Sequence, residues 1–177
     1  TPRVLRMRFL QQLDVHAHIN PSIPSDELRQ LDATIFGMTR SLDEAEEVLR
    51  RNDSNVLWGV GCHPGLAKVQ KGFDAQKFSR TIDKTALVGE IGLDGKSRVA
   101  LDLQLKNLVS ILSTLQQKPR IVSMHSSSAT EKLIQALKEN PSKGIILHWW
   151  LGDRNLTQRA LSLGCYFSLN NSSLRYT

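Results

Sequence analysis

Two histidines stand two positions apart in the stretch LDVHAHIN, at the end of a short apolar run that begins with Leu13. Side chains at positions i and i+2 of a β-strand share a face, so a strand here presents the rings of His16 and His18 together. Imidazole nitrogens are common ligands of transition metals. The pair is therefore a candidate part of a metal site, although a strand end that faces water would carry the same residues.

The other histidines occupy comparable positions. The chain has 5 histidines, and the remaining three are His63, His125 and His148. Each lies at or next to the C-terminal end of an apolar run that predicts a strand, and each taken singly has an ordinary alternative as a hydrogen-bonded or solvent-facing residue. Because these strand ends meet at one rim in a parallel barrel, we expect the five imidazoles to face one cavity.

Glu90 adds a carboxylate to this set. It lies in LVGEIGLD, inside another apolar run, where a buried charge is costly unless a metal ion or a basic side chain compensates it. Imidazole and carboxylate together suit Zn, Mn or Fe. A bridging carboxylate such as Glu90 can also hold two ions about 3.5–4 Å apart, as in two-metal hydrolytic sites.

The elements that must position these residues alternate along the chain. Apolar runs rich in Val, Ile and Phe predict seven strands, at 13–18, 33–38, 56–63, 86–93, 121–125, 144–149 and 165–169. Helical spacing predicts helices at 41–52, 72–84, 99–117, 128–140 and 153–164. This alternation predicts one α/β domain over 1–177 with a parallel sheet, either a barrel or an open sheet. No GxGxxG or GxxxxGK[ST] motif follows the first strand, which argues against the commonest nucleotide-binding open sheets.

Composition limits the class of protein and its partners. The net charge of +6 favours a polyanionic partner such as nucleic acid, although a solvated basic face would give the same excess. The 2 cysteines form no CxxC pair, which predicts buried reduced thiols and a cytoplasmic protein rather than a disulfide framework. No apolar run is long enough for a signal peptide or a membrane span, so no membrane partner is expected.

Six stretches resemble, in order, the motifs of the TatD-type metal-dependent deoxyribonucleases of the metal-dependent hydrolase superfamily. They are LDVHAH, GVGCHPG, LVGEIGLD, VSMHSSSA, ILHWWLG and GCYFSL. The resemblance implies a TIM-barrel (β/α)8-type fold and exonucleolytic hydrolysis of DNA phosphodiester bonds, at single strands or 3′ ends. GIILHWWLG and LGCYFS are also similar to the TatD-like subunit of Qat antiphage defence systems, which implies protein partners in a defence complex.

The resemblance also implies roles for particular residues, and two divalent ions, Mg, Mn or Zn. The implied metal ligands are His16, His18, Glu90, His125 and His148, with Glu90 bridging the two ions. Catalytic roles fall on Glu90, on His63, which matches a histidine near the substrate phosphate, and on Asp94, which positions a ligand or loop. An ordinary turn aspartate before Gly95 is the alternative for Asp94. Metal-activated water would attack phosphorus.

Three departures from the family pattern bear on these expectations. Ser127 stands where the family usually has Arg, which removes a phosphate or structural contact. Trp149 and Trp150 replace the usual Cys-Phe, either as a stacking surface for a base or as core filler. The family's last aspartate comes from an eighth strand, and no residue after Asn170 matches it, so we expect a barrel whose C-terminal βα portion is missing.

Two other functions are compatible with this sequence. A small-molecule amidohydrolase would use the same barrel, but such enzymes commonly place a carbamylated Lys on the fourth strand, where this chain has Glu90. A catalytically impaired DNA-binding or protein-binding subunit of a larger complex would fit Ser127 and the missing strand. The full set of histidines with Glu90 argues against the second alternative.

Overall fold

The fold is built on seven parallel strands in a computed structural model that describes residues 12–169. The strands are β1 Gln12–His18, β2 Ala33–Met38, β3 Val56–Val60, β4 Leu87–Gly92, β5 Ile121–His125, β6 Ile145–Leu147 and β7 Tyr166–Phe167. They pair in sequence order from β1 to β7, and every neighbouring pair is parallel. The predicted α/β fold, a TIM-barrel-type sheet that lacks the eighth strand, is confirmed for the described part of the chain.

Helices connect consecutive strands. They are α1 Ser25–Arg29, α2 Leu42–Val48, α3 Ala67–Lys71, α4 Ala75–Thr81, α5 Leu101–Gln117, α6 Thr130–Glu139 and α7 Arg154–Ser162, and a 3₁₀ turn at Ile82–Lys84 continues α4. The five predicted helical segments are confirmed. Ser41 caps α2 by accepting a hydrogen bond from the Glu44 N–H. The two helices that sequence reasoning missed, α1 and α3, have 5 residues each, which is too short to show a helical period.

Four strands end earlier than predicted, and β4 does so by one residue, at Gly92. β3 ends at Val60, so His63 lies in the loop beyond it, where its N–H donates to the carbonyl of Arg40. β6 ends at Leu147 because Trp149 adopts a left-handed backbone conformation, with φ of 46°, that cannot continue a strand. β7 covers only Tyr166–Phe167. The predicted strand ends were therefore wrong at the residues that form loops above the sheet.

The main core lies between the sheet and its helices. β4 is buried along its whole length, and α5 packs Leu108, Ile111, Leu112 and Leu115 into the same cluster. Burial of each such side chain contributes about 1.5–3 kcal/mol. This packing makes the strands a rigid base for the loops at their C-terminal ends. No helix within residues 12–169 is long and apolar enough to cross a membrane.

Both cysteines lie in this core as free thiols. Burial raises the pKa of Cys62 to about 12 and that of Cys165 to about 11. The thiolate is the reactive form of cysteine, so both side chains behave as small apolar residues at neutral pH. The prediction of buried, unpaired thiols is confirmed.

A partly buried ion pair secures the loop that follows β1. The Arg51 guanidinium pairs with both oxygens of Asp53, at 2.7 and 2.9 Å, and donates to the carbonyls of Pro21 and Ile23. Asp53 also accepts from the Trp58 indole N–H at 2.8 Å. Hydrogen bonding from Arg51 lowers the pKa of Asp53 to about 2. The pair therefore ties the loop after His18 to β3.

Removal of this guanidinium is expected to destabilise the fold. Arg51→Ala leaves the Asp53 carboxylate, whose side chain is 0% exposed, without its cation, and we expect a loss of about 2–4 kcal/mol in the free energy of unfolding. Urea denaturation measures this loss. Arg50→Ala is the matched control because Arg50 is exposed, and its effect should stay within about 0.5 kcal/mol. Equal effects of the two substitutions would contradict this role of Arg51.

Candidate metal centre

The polar residues predicted from sequence meet at the C-terminal rim of the sheet. His18 and His125 are the last residues of β1 and β5, Glu90 lies in β4, and His148 directly follows β6. With His63 they line a cleft of about 630 Å³. His16 lies beneath this cleft, two positions before His18 on β1, so that the structure brings all five imidazoles to one place.

Glu90 is the centre of this cluster. Its Oε2 lies 2.9 Å from His18 Nε2 and 3.3 Å from His63 Nε2, and its Oε1 lies 2.9 Å from His125 Nδ1. Burial pushes the pKa of this carboxyl up, but the hydrogen bonds from His125 and His18, together with the charges of His63 and His125, hold the pKa well below its ordinary value. Glu90 is therefore ionised at neutral pH although only 2% of it is exposed.

His16 and His148 bring two distant strands together. Their rings stack with centroids 3.4 Å apart and 9° between the planes, although β1 and β6 are not neighbours in the sheet. The sheet therefore curls. Burial, together with the nearby His148, lowers the pKa of His16 to about 3, so this imidazole is neutral at pH 7. The neutral ring is the form that binds a metal.

The donor atoms are close enough to share an ion. One ligand atom each from His16, Glu90 and His148 lie within 4.8 Å of one another, and His18 Nε2 lies 3.3 Å from His16 Nε2. His125 donates through Nδ1 to Glu90, which leaves its buried Nε2 without a hydrogen-bond partner among the described residues. An unpaired buried nitrogen is costly, and a metal ion would satisfy it. The residues present thus fit a metal site.

The hydrogen bonds of His63 indicate which of its two ring nitrogens carries the proton. Its Nδ1 accepts a hydrogen bond from the Gly65 backbone N–H at 3.0 Å. Neutral His63 therefore holds its proton on Nε2, the nitrogen that faces Glu90 and the cleft. Burial lowers the pKa of His63, which favours this neutral form. The geometry presents His63 to the cleft as a hydrogen-bond donor rather than as a free lone pair.

Asp94 makes the contacts expected from both interpretations of its position, the turn aspartate and the residue that positions a ligand. Its Oδ1 accepts from the Lys96 N–H at 2.9 Å, as expected of a turn aspartate. Its Oδ2 lies 3.6 Å from His125 Nε2, the unpaired nitrogen. Asp94 therefore lies beside the cluster, where it contacts a predicted ligand.

Sequence reasoning missed the polar residues that hold these side chains in place. Ser123 Oγ lies 2.8 Å from His16 Nδ1 and turns Nε2 of that ring toward Glu90. Gln104, buried on α5, bonds the backbone N–H and carbonyl of Asp94. Gln70 donates to the carbonyl of His63 at 3.1 Å. Gln104 is a polar residue within the apolar face of α5. This break in the apolar pattern could have indicated its role from the sequence.

The two adjacent tryptophans have different environments. Trp150 is 7% exposed, packs in the core and donates from Nε1 to Thr157 at 2.8 Å. Trp149 is 47% exposed and lines the cleft next to His148. Ser127 also lines the cleft, at the position where the family pattern has Arg. Core filler is thus the correct interpretation for Trp150, whereas Trp149 faces solvent.

The chain has a parallel β/α sheet of the TIM-barrel type, with a histidine–carboxylate cluster at its C-terminal rim that could hold a metal ion. The model of the family described as TatD related DNase matches residues 13–175. The chain therefore belongs to the TatD family.

Individual relatives agree with this assignment. The chain is 25% identical, over 95% of its length and 69% of the relative's, to the Xenopus laevis protein named "Putative deoxyribonuclease tatdn3-B". Its fold is similar to that of YJJV, a TatD homologue from Escherichia coli K12, with a TM-score of 0.78 and 22% identity over 89% of this chain and 67% of that one. It is also similar to the phosphotriesterase homology protein of Escherichia coli, described as complexed with phosphate in its active site, with a TM-score of 0.66 and 15% identity over 94% and 73% of the two chains.

Proposed function

We propose that this chain hydrolyses DNA phosphodiester bonds with divalent metal ions held by its histidine–glutamate cluster. The observation that carries the proposal is the contact of one buried carboxylate, Glu90, with three histidines at the rim of the sheet. Membership of the family described as TatD related DNase supports DNA as the substrate. The net charge of +6 supports a polyanionic substrate.

The proposal assigns two ions, Mg, Mn or Zn, to five protein ligands. His16, His18, Glu90, His125 and His148 would hold these ions. Bound divalent ions supply acidification of a water molecule and neutralisation of charge on the phosphate oxygens. Ser123 and Asp94 contact His16 and His125, and so hold two of the ligand rings in orientation.

The remaining residues of the cleft act on the substrate phosphate. His63 donates a hydrogen bond from Nε2 to a non-bridging oxygen, since its Nδ1 is occupied by the Gly65 N–H. Lys96 and the Ser127 hydroxyl also line the cleft and can donate to the phosphate where the family usually supplies Arg, whereas the Thr130 hydroxyl donates to the carbonyl of Ser126. This set attracts a phosphate to the cluster and orients it there.

The proposal also specifies which part of the DNA is cleaved and where in the cell the reaction takes place. We assign the activity to the removal of nucleotides from single strands or 3′ ends, in the cytoplasm and within one domain. The chain spans about two thirds of the length of its relatives. The proposed activity therefore also applies to a longer protein that contains this chain. A role with protein partners in antiphage defence stays a prediction from the HWWLG stretch.

A cleavage assay tests this function. Protein at the length of this chain, and extended to the length of its relatives, is incubated with 3′-labelled single-stranded DNA and Mn²⁺ or Mg²⁺. We expect release of labelled nucleotides that EDTA abolishes and added Mn²⁺ restores, a change of at least about 1,000-fold in rate. Cleavage that survives EDTA would contradict the metal assignment. DNA binding without cleavage would favour the binding subunit, and turnover of small amides alone would favour the amidohydrolase.

A further inference from the structure

The cleft has two kinds of lining beside the metal cluster. Lys96 and the hydroxyl residues Ser127 and Thr130 come from the loops and helix that follow β4 and β5, and they are basic or polar. Trp149 and Leu151 come from the loop that follows β6, and they are apolar and exposed, at 47% and 72%. Aromatic side chains commonly line ligand-binding clefts, so the exposed ring of Trp149 is available to contact a ligand.

Trp149 is held in this position against its backbone preference. Its φ of 46° is left-handed, a conformation that bulky residues rarely adopt. Two hydrogen bonds to Ser168 maintain this conformation. The Trp149 N–H donates to Ser168 Oγ at 3.1 Å, and the Trp150 N–H donates to the carbonyl of Ser168 at 3.2 Å. The Trp150 ring is fixed in the core. Strained residues that their surroundings maintain cluster at ligand-binding sites.

The ring of Trp149 also lies next to the predicted reaction centre. Its centroid is 6.4 Å from that of His148, whose ring stacks in turn on His16. A phosphate bound at the cluster would therefore place its attached nucleoside beside the indole. The flat apolar face of a base and the indole face are complementary, and such stacking tolerates any base.

We propose that Trp149 is the base-binding residue of this cleft, and that it stacks on the unpaired base of the nucleotide whose phosphate lies at the metal cluster. Leu151 extends the apolar wall, and Lys96 with the Ser127 hydroxyl contacts the phosphate end. A base inside a duplex is stacked on both faces by its neighbours and cannot present a face to the indole. This inference rests on the proposed function for the identity of the ligand, a nucleotide.

Product binding tests this inference without requiring cleavage. The probes are deoxyadenosine 5′-monophosphate and 2-deoxyribose 5-phosphate, which differ by the base alone, titrated calorimetrically in Mn²⁺. We expect the protein to bind the nucleotide about 5- to 150-fold more tightly than the sugar phosphate, and Trp149→Ala to bind both alike. Trp149→Phe should restore part of the preference, because a smaller aromatic ring still stacks.

Two further variants serve as controls, one for the stability of the fold and one for the loss of an exposed aromatic side chain elsewhere. Trp149→Gly accepts the left-handed backbone, so its melting temperature should equal or exceed that of the parent while the preference for the base is lost. Tyr166→Ala removes an exposed aromatic side chain outside this cleft and should keep the preference. A Trp149→Ala protein that still prefers the nucleotide, or a parent protein without any preference, would overturn the inference. Absence of DNA cleavage would overturn the proposed function instead.

Discussion

Glu90→Gln is expected to lower kcat/KM for DNA cleavage by at least about 1,000-fold. The substitution keeps the size of the side chain but removes the charge that faces His18, His63 and His125. Under the proposed function Glu90 is a metal ligand, so without its charge we also expect Mn²⁺ to bind at least about 10-fold more weakly, as measured by calorimetry. Loss of both quantities together distinguishes a ligand from a residue that contacts only the substrate.

Glu46→Gln is the matched control for this change. Glu46 is a partly exposed carboxylate on α2 that pairs with Lys77 at 3.2 Å, outside the cleft. Its substitution should change kcat/KM by less than about twofold, because a solvent-exposed ion pair contributes at most about 1 kcal/mol to stability and nothing to the site. Circular dichroism and melting curves of both variants verify that the fold persists. A Glu90→Gln protein that keeps a tenth of the activity would exclude Glu90 as the bridging ligand.

His63→Ala is expected to lower kcat/KM by about 100- to 1,000-fold while the affinity for Mn²⁺ stays within about twofold of the parent. The Gly65 N–H occupies Nδ1 of His63, so the neutral ring donates from Nε2 and offers no free lone pair to an ion. His125 is the contrasting residue, because its Nε2 is unpaired among the described residues. His125→Ala should therefore weaken both cleavage and Mn²⁺ binding.

His63→Gln separates hydrogen bonding from proton transfer. A glutamine amide can still donate a hydrogen bond to a phosphate oxygen, but it cannot exchange a proton at neutral pH. Because burial lowers the pKa of His63 and favours the neutral donor, we expect His63→Gln to recover about 10-fold of the activity that His63→Ala loses. Equal activity of the two variants would argue for proton transfer, and a parallel loss of Mn²⁺ affinity would make His63 a ligand.

Several parts of the site were predictable because local pattern encodes them. An HxH pair at the end of an apolar run must present two rings on one strand face. In the structure the rings of His16 and His18 both face Glu90. Parallel strands place their C-terminal ends together, which is why His125 and His148 could be grouped from positions far apart in sequence. The charged Glu90 in a buried strand also required a compensating partner, and the structure provides three histidines.

The supporting contacts were not predictable because they depend on long-range packing. Ser123 and His16 are 107 positions apart, and nothing in VSMHSSSA indicates which histidine its second residue contacts. Gln104 and Gln70 are ordinary polar residues in sequence, and their function appears only where helix packing places them under the loops of Asp94 and His63. Strand ends were similarly uncertain, since a left-handed residue such as Trp149 breaks a strand without any local signal in an apolar run.

The sequence by itself determined the alternating α/β architecture, the family motifs and the six residues that could ligate or surround a metal, because hydrophobic period and residue chemistry are local properties. Only the tertiary structure decided which ring nitrogen of each histidine faces the centre, because that depends on the partner at the other nitrogen, Ser123 for His16 and Gly65 for His63. It also decided that Trp150 lies in the core and Trp149 in the cleft, because Trp150 packs against Phe167 and bonds to Thr157, partners that local sequence does not indicate.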